Sequence, residues 1–362
     1  MKNPLLQNQN DVRSGALLSD PTTYNTPAPV LLSQSGNLPG YIQRDNSLPS
    51  NFFSAFSYNY IWDKLDSNPG DLSLRQHYCH NYPIVLSVTD AISNDVDNVN
   101  DNCINLSSPA GRLKVSPKSL MDFVTLWKPD IAILPIDDSV LSLTDKRQSL
   151  AIKRSINWTE QYLSTTTQPS SLLFLTVSTL CLDSYTPSFI DNLEASSFKG
   201  VHLSSYDTAV SDQNSIRKLL GVLPQSFHRH VTCIGTPLEL FHWMELGFDL
   251  ISVSFHVLTA KQGLALTFLD SDCPFLNLLE NEFVLDDKPI SSACSCQCCK
   301  DHSRQYINHL LKCHEMLAES LLLIHNSTVV VRLFDEVRES ISSGNYETYK
   351  NRIFNRINKI IY

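Results

Sequence analysis

The chain has 362 residues, of which 42% are hydrophobic and 18% charged, and a formal net charge of −9. That is a globular composition, long enough for one large domain or two ordinary ones. The acidic balance excludes a protein that grips nucleic acid over its whole surface, because phosphate binding relies on clustered Lys and Arg. No run approaches the 18 or so apolar residues that a membrane span needs, and Met1 to Leu18 is too polar for a secretory signal, so an intracellular protein is expected.

In chain order, residues 1–27 are rich in Asn, Ser, Thr and Pro without apolar periodicity, and read as a flexible lead. A second polar stretch, Ser93 to Asn102, carries Asp95, Asp97 and Asp101 but lacks the Gly and terminal Glu of a calcium loop, so it reads as a solvated loop. Short apolar runs then recur at Pro83–Val88, Asp130–Pro135, Leu172–Val177, Gly200–Ser204, His230–Gly235, Leu250–Phe255 and Leu264–Leu269. Continuous apolar runs without strict alternation suit parallel strands covered on both faces.

The intervening segments carry helix signals. Ser116-Pro117 supplies a cap and a first-turn proline ahead of the Leu120, Phe123, Val124, Trp127 stripe, and Thr236-Pro237 repeats the device before Leu240, Trp243 and Met244. Thr144 or Asp145 caps the helix that runs to Leu163, and Gly247 suits a helix C-terminus. Strands every 20 to 40 residues with helices between them predict an α/β chain folded as a (β/α)8 barrel over 28–270. A zinc-binding subdomain with its closing helix is expected over 271–340, and a C-terminal helix over 341–362.

Four of the ten cysteines lie within Cys294-Ser295-Cys296-Gln297-Cys298-Cys299. The C-x-C-x-x-C spacing lets Cys294, Cys296 and Cys299 converge on one ion from a single turn. Zinc prefers thiolate and imidazole in a tetrahedron, so three Cys and one His form a closed structural site without a position for substrate. For the fourth ligand, Ser303 to Asn326 reads as one helix, which places His314 and His325 roughly 16 Å apart and makes them mutually exclusive. On spacing alone His302 and His325 stand level, and Cys298, next to a ligand, points away.

The cluster, together with Tyr306-Ile307, His309-Leu310, Leu321-Leu322 and His325-Asn326, resembles the zinc-binding end of tRNA-guanine transglycosylases. In that family the fourth ligand is the His of the His-Asn pair, 26 residues after the last Cys, and Cys299 to His325 is 26 here. The resemblance therefore implies His325. Ile234-Gly235-Thr236-Pro237, Gly247-Phe248-Asp249 and Ala260-Lys261-Gln262-Gly263-Leu264-Ala265 look like further family segments.

Catalytic members exchange guanine at the tRNA wobble position for queuine or its precursor, one Asp attacking ribose C1′ while another handles protons. Such chemistry needs a carboxylate, because the nucleophile must also leave when the new base attacks. Aligning Gly247, Asp249 and Gly263 without gaps puts Ser252 at the nucleophile position. The Asp-Ser-Gly-Gly-Phe-Gln segment does not occur, and Gly200-Val201-His202-Leu203-Ser204-Ser205 stands where the base-cradling loop belongs.

This pattern is similar to the family's non-catalytic branch, and it implies no catalytic residue in this chain. It further implies one zinc ion, a catalytic partner subunit in a heterodimer, and tRNA held through the complex. The implied location is the cytoplasm, with peripheral association at the mitochondrial outer membrane. The rival expectation is an active base-exchange enzyme using Asp249, Asp137 or Asp138 as its carboxylate.

Overall fold

The computed structural model describes residues 7–9, 12–19, 22–33, 51–62, 70–88, 96–108, 111–137, 145–164, 169–204, 208 and 212–358. Eight parallel strands close a barrel: β1 (Ala28–Leu32), β2 (Phe53–Ser57), β3 (Ile84–Ser87), β4 (Ile131–Leu134), β5 (Leu172–Val177), β6 (Phe198–Leu203), β7 (His228–Thr232) and β8 (Leu250–Val253). Each pairs with the next in sequence, and β8 returns to β1 with Ser252 opposite Val30. Alternation along each strand sends one set of side chains inward and the other towards the helices. Val30, Phe53, Val85, Ile133, Phe174 and Leu250 fill the interior, while Leu31, Phe56, Leu86, Leu134, Val231 and Ile251 join the outer layer. Because both faces are buried, the strands read as unbroken apolar runs.

Six of the seven apolar runs overlap barrel strands, β3 to β8, although β6 and β7 each begin two residues before their runs. The seventh does not: Leu264–Leu266 pairs antiparallel with Phe275–Asn277 in a separate ribbon outside the barrel. Two barrel strands lie beyond the runs, because Pro29 interrupts β1 and a serine follows each Phe in β2.

Where a flexible lead was expected, Val12–Ser19 and Thr22–Thr26 form an antiparallel hairpin. Its Leu17 and Tyr24 pack on the barrel interior beside Phe53, which stops the N-terminal end of the barrel. Charge fastens it there. Arg13 donates to the carbonyls of Gln225 and Phe227 and lies 3.7 Å from the Asp249 carboxylate, which also accepts the Arg229 backbone N–H at 2.9 Å. Asp249→Ala leaves both donors short of an acceptor in a buried site, and a loss of about 3 kcal/mol in urea unfolding is the expected result.

The cap signals hold where they can be seen. Ser116 caps α1 (Pro117–Trp127) and Thr236 caps α5 (Pro237–Glu245), each with a reciprocal bond from the third residue of its helix. Between them lie α2 (Asp145–Ser164), α3 (Pro187–Ala195) and α4 (Gln213–Val222), and Thr144, the other expected cap of α2, falls outside the described residues. Gly235 has φ +82° and touches Val253 so closely that a Cβ would sit 2.6 Å from its side chain, so the Gly-Thr-Pro turn seats α5 against the end of β8.

After β8 come α6 (Phe255–Lys261), α7 (Gln297–Asp301), α8 (Arg304–Lys312), α9 (Met316–Ser342) and α10 (Tyr346–Asn358). The single helix expected from Ser303 to Asn326 is therefore two. His314 takes a left-handed φ of 55°, and Glu315 N–H bonds back to Leu310 O, which ends α8 and redirects the chain. By length and composition α9 is apolar enough to cross a membrane, although it holds no unbroken apolar run of that length, and 78% of its apolar window is buried inside the fold. It is the core helix that joins the barrel to the cysteine-rich subdomain, packing through Leu322 on one cluster and through Val330 and Phe334 on the other.

Candidate metal centre and barrel mouth

Cys294 and Cys296 precede α7, Cys299 lies within it, and His325 comes from the middle of α9. The four ligand atoms lie within 4.8 Å of one another and all four residues are buried. Nδ1 of His325 is 3.3 Å from Cys299 Sγ and 3.7 Å from Cys296 Sγ. For metal–sulfur bonds of about 2.3 Å and metal–nitrogen bonds of about 2.0 Å, a tetrahedron separates S from N by about 3.5 Å. The group therefore fits a tetrahedral cation.

Its surroundings orient the imidazole. Nε2 of His325 donates to the Leu266 carbonyl at 2.9 Å, which turns Nδ1 towards the sulfurs, the orientation a metal-ligating His takes. The neighbouring Asn326 holds the same strand: its Oδ1 accepts the Leu266 N–H at 2.9 Å and its Nδ2 donates to Leu264 O and Thr259 Oγ1. Hydrogen bonds from the Cys296 and Cys299 thiols push the Cys294 thiol far down, while the Cys294 thiolate beside it drives Cys296 up. Burial opposes charge on His325, but hydrogen bonds and charge from the Cys294 and Cys299 sulfurs outweigh it and raise the imidazole to about 9. A metal ion competes with that proton for the same Nδ1 lone pair.

The other candidates lie elsewhere. His302 stacks on Tyr306 at 5.1 Å, His309 and His314 are exposed, and Cys298 is buried among apolar residues outside the ligand group, where burial raises its thiol.

A second constellation sits inside the barrel, nearer the C-terminal ends of the strands. Ser252 Oγ is 2.8 Å from His230 Nε2, and His230 Nδ1 is 2.8 Å from His202 Nδ1. The string crosses β8, β7 and β6. One proton lies between the two Nδ1 atoms, so one imidazole donates and the other accepts. Burial holds His202 down to about 4 and, helped by His202 itself, pushes His230 well below the ordinary imidazole range, so the string is neutral at physiological pH. A neutral string of this kind offers no negative charge to a developing cation.

The carboxylates considered for the reaction are placed differently. Asp249 lies at the opposite end of the barrel, in the Arg13 and Arg229 contacts described above. Asp137 is buried and lies 3.3 Å from Arg154, which also holds Asp101. Asp138 is outside the described residues.

A family model described as TGT, queuine tRNA-ribosyltransferase, matches residues 73–359. The chain belongs to this family. Among curated relatives, the queuine tRNA-ribosyltransferase of Lachnoclostridium phytofermentans is 33% identical over 137 residues, which are 38% of this chain and 35% of that protein. The queuine tRNA-ribosyltransferase accessory subunit 2 of Schizosaccharomyces pombe is 26% identical over 259 residues, 67% of this chain and 57% of the relative. Its namesake in Drosophila persimilis is 26% identical over 253 residues, 64% and 60% respectively. The chain thus spans 35% to 60% of the length of these relatives.

As a queuine tRNA-ribosyltransferase family member, the chain keeps the barrel and the Cys3His group. It carries a hydroxyl, bonded to an imidazole, at the position where the family resemblance calls for a nucleophilic carboxylate. His202 and His230 were not singled out in the sequence as partners of Ser252. Their inward parity on two expected strands was the available signal, but which inward residues meet across parallel strands depends on register, which no single segment encodes.

Proposed function

We propose that this chain is the non-catalytic subunit of a two-chain queuine tRNA-ribosyltransferase, working in queuosine formation at the tRNA wobble position. The observation that carries the reading is Ser252 bonded to His230: a serine alkoxide is a poor leaving group from ribose C1′, and burial makes His230 a weak base for the hydroxyl. The two accessory-subunit relatives support it.

On this reading the chain supplies a scaffold for a catalytic partner and helps hold tRNA. The four buried ligands hold one structural zinc ion, which three thiolates and an imidazole favour over harder cations. The complex works in the cytoplasm, with peripheral attachment to the mitochondrial outer membrane; a pool that resists carbonate extraction would sink that attachment.

The test is base exchange into tRNA by this chain alone, by a catalytic subunit alone, and by both mixed. No exchange in the first tube and a gain in the third are expected. Exchange by the chain alone would overturn the non-catalytic reading, and no gain on mixing would overturn the partnership. The rival reading, an active enzyme with a non-standard carboxylate, draws no support from Asp249 or Asp137, which are held away from the mouth or paired.

A further inference from the structure

Helix α9 grips the cysteine loop at two points. The first is direct, through His325. The second is seven residues further along, two helical turns and so on the same face, where Arg332 makes a two-pronged pair with Asp270, at 2.9 Å to Oδ1 and 3.1 Å to Oδ2. Asp270 Oδ2 also accepts the hydroxyl proton of Ser291 at 2.7 Å. Ser291 is 7% exposed and shapes the turn that delivers the first ligand: its Oγ accepts the Ala293 N–H at 3.2 Å, and its carbonyl accepts the Cys294 N–H at 3.4 Å.

The route from Arg332 to Cys294 is thus an unbroken set of hydrogen bonds that does not pass through the ion. Asp270 begins from the same ribbon that orients the imidazole, since its N–H bonds to Thr267 O, one residue beyond Leu266. Charge adds to geometry. Three thiolates and one divalent ion carry a net charge of −1, Asp270 brings another negative charge close by, and Arg332 is the cation set against both. Neutralising Asp270 removes the anchor of Ser291 and leaves Arg332 without its strongest partner.

We infer that Asp270, oriented by Arg332, is a positioning residue for the metal loop, holding the Ser291–Cys294 turn in ligand geometry through Ser291. This rests on the reading that the four ligands hold a metal. Outer partners of metal ligands are commonly worth 10–100-fold in metal affinity, and this brace acts on a backbone turn that sets where one thiolate stands.

The test is release of zinc from the full chain to a chromogenic chelator, compared for wild type, Asp270→Asn, Asp270→Glu, Ser291→Ala and the Asp270→Asn/Ser291→Ala double variant. Release some tenfold or more faster is expected from Asp270→Asn and Ser291→Ala, with partial rescue in Asp270→Glu. The double variant should lose no more than the worse single one, because both cuts fall on one path. Cobalt(II) substitution should give the same three-sulfur, one-nitrogen spectrum in all variants, and the urea midpoint of the loaded proteins should fall by no more than the weaker metal binding accounts for, whereas a merely structural role would lower it further. Wild-type release rates from stoichiometrically loaded Asp270→Asn or Ser291→Ala would overturn the inference. If Asp270→Asn fails to fold, Ser291→Ala decides alone. Wild type that holds no stoichiometric metal would instead overturn the metal reading itself.

Discussion

Replacing His325 with Ala is expected to empty the metal site and to loosen the subdomain around it. His325 is fully buried, supplies the only nitrogen in the ligand group, and ties α9 to the Leu264–Leu266 strand through Leu266 O. Its loss leaves three thiols packed together without the fourth ligand or the positive charge that offsets them, and removing one partner from a buried charged group costs about 3–5 kcal/mol. Elemental analysis should fall from one ion per wild-type chain to a small fraction, and the subdomain should become sensitive to protease. His302→Ala is the control: His302 stacks on Tyr306 and should keep its metal. Stoichiometric zinc in His325→Ala would show that the wrong ligand was chosen. Because every ligand must shed its proton to bind, acidification should also loosen the metal.

Asn326→Ala is expected to be as damaging without touching a ligand. The Asn326 side chain is fully buried and satisfies the Leu266 N–H and the Leu264 carbonyl at once, besides Thr259 Oγ1. Alanine takes the side-chain partner from a buried N–H and a part-buried carbonyl, each worth about 1–3 kcal/mol, and leaves a small cavity, for a total of roughly 3–5 kcal/mol. Asn326→Asp should bring no rescue, since its carboxylate can accept from Leu266 but sets a buried charge against the Leu264 carbonyl. Chemical unfolding measures the loss. Metal affinity should fall in parallel, because the strand that shifts carries the carbonyl that sets the His325 tautomer. Wild-type stability in Asn326→Ala would mean that the strand is held by the ribbon alone.

These two positions show why the resemblance at the His-Asn pair is worth more than its length. One residue faces the ion and the next locks the strand behind it, so neither can change without disturbing the other's partner, Leu266.

Much of the architecture was legible in the chain itself. Parallel strands buried on both faces must be apolar throughout, so β3 to β8 were visible as runs; Ser116-Pro117 and Thr236-Pro237 announced their helices because capping is local chemistry within one turn. The metal loop was visible for the same reason, four thiols within six residues. Two kinds of feature needed the tertiary structure. Strands such as β1 and β2, and the hairpin of Val12–Ser19 with Thr22–Thr26, are weak alone and are stabilised by partners distant in sequence, among them Phe53 against Tyr24 and Arg13 against Asp249. The Ser252–His230–His202 string and the Arg332–Asp270–Ser291 brace depend on register and helix docking, which bring together residues 22, 28, 62 and 21 positions apart. Local spacing could determine that a metal loop exists, and the resemblance could name His325; only the packing of α9 against the loop brings that histidine to the thiols and decides what holds the loop in place.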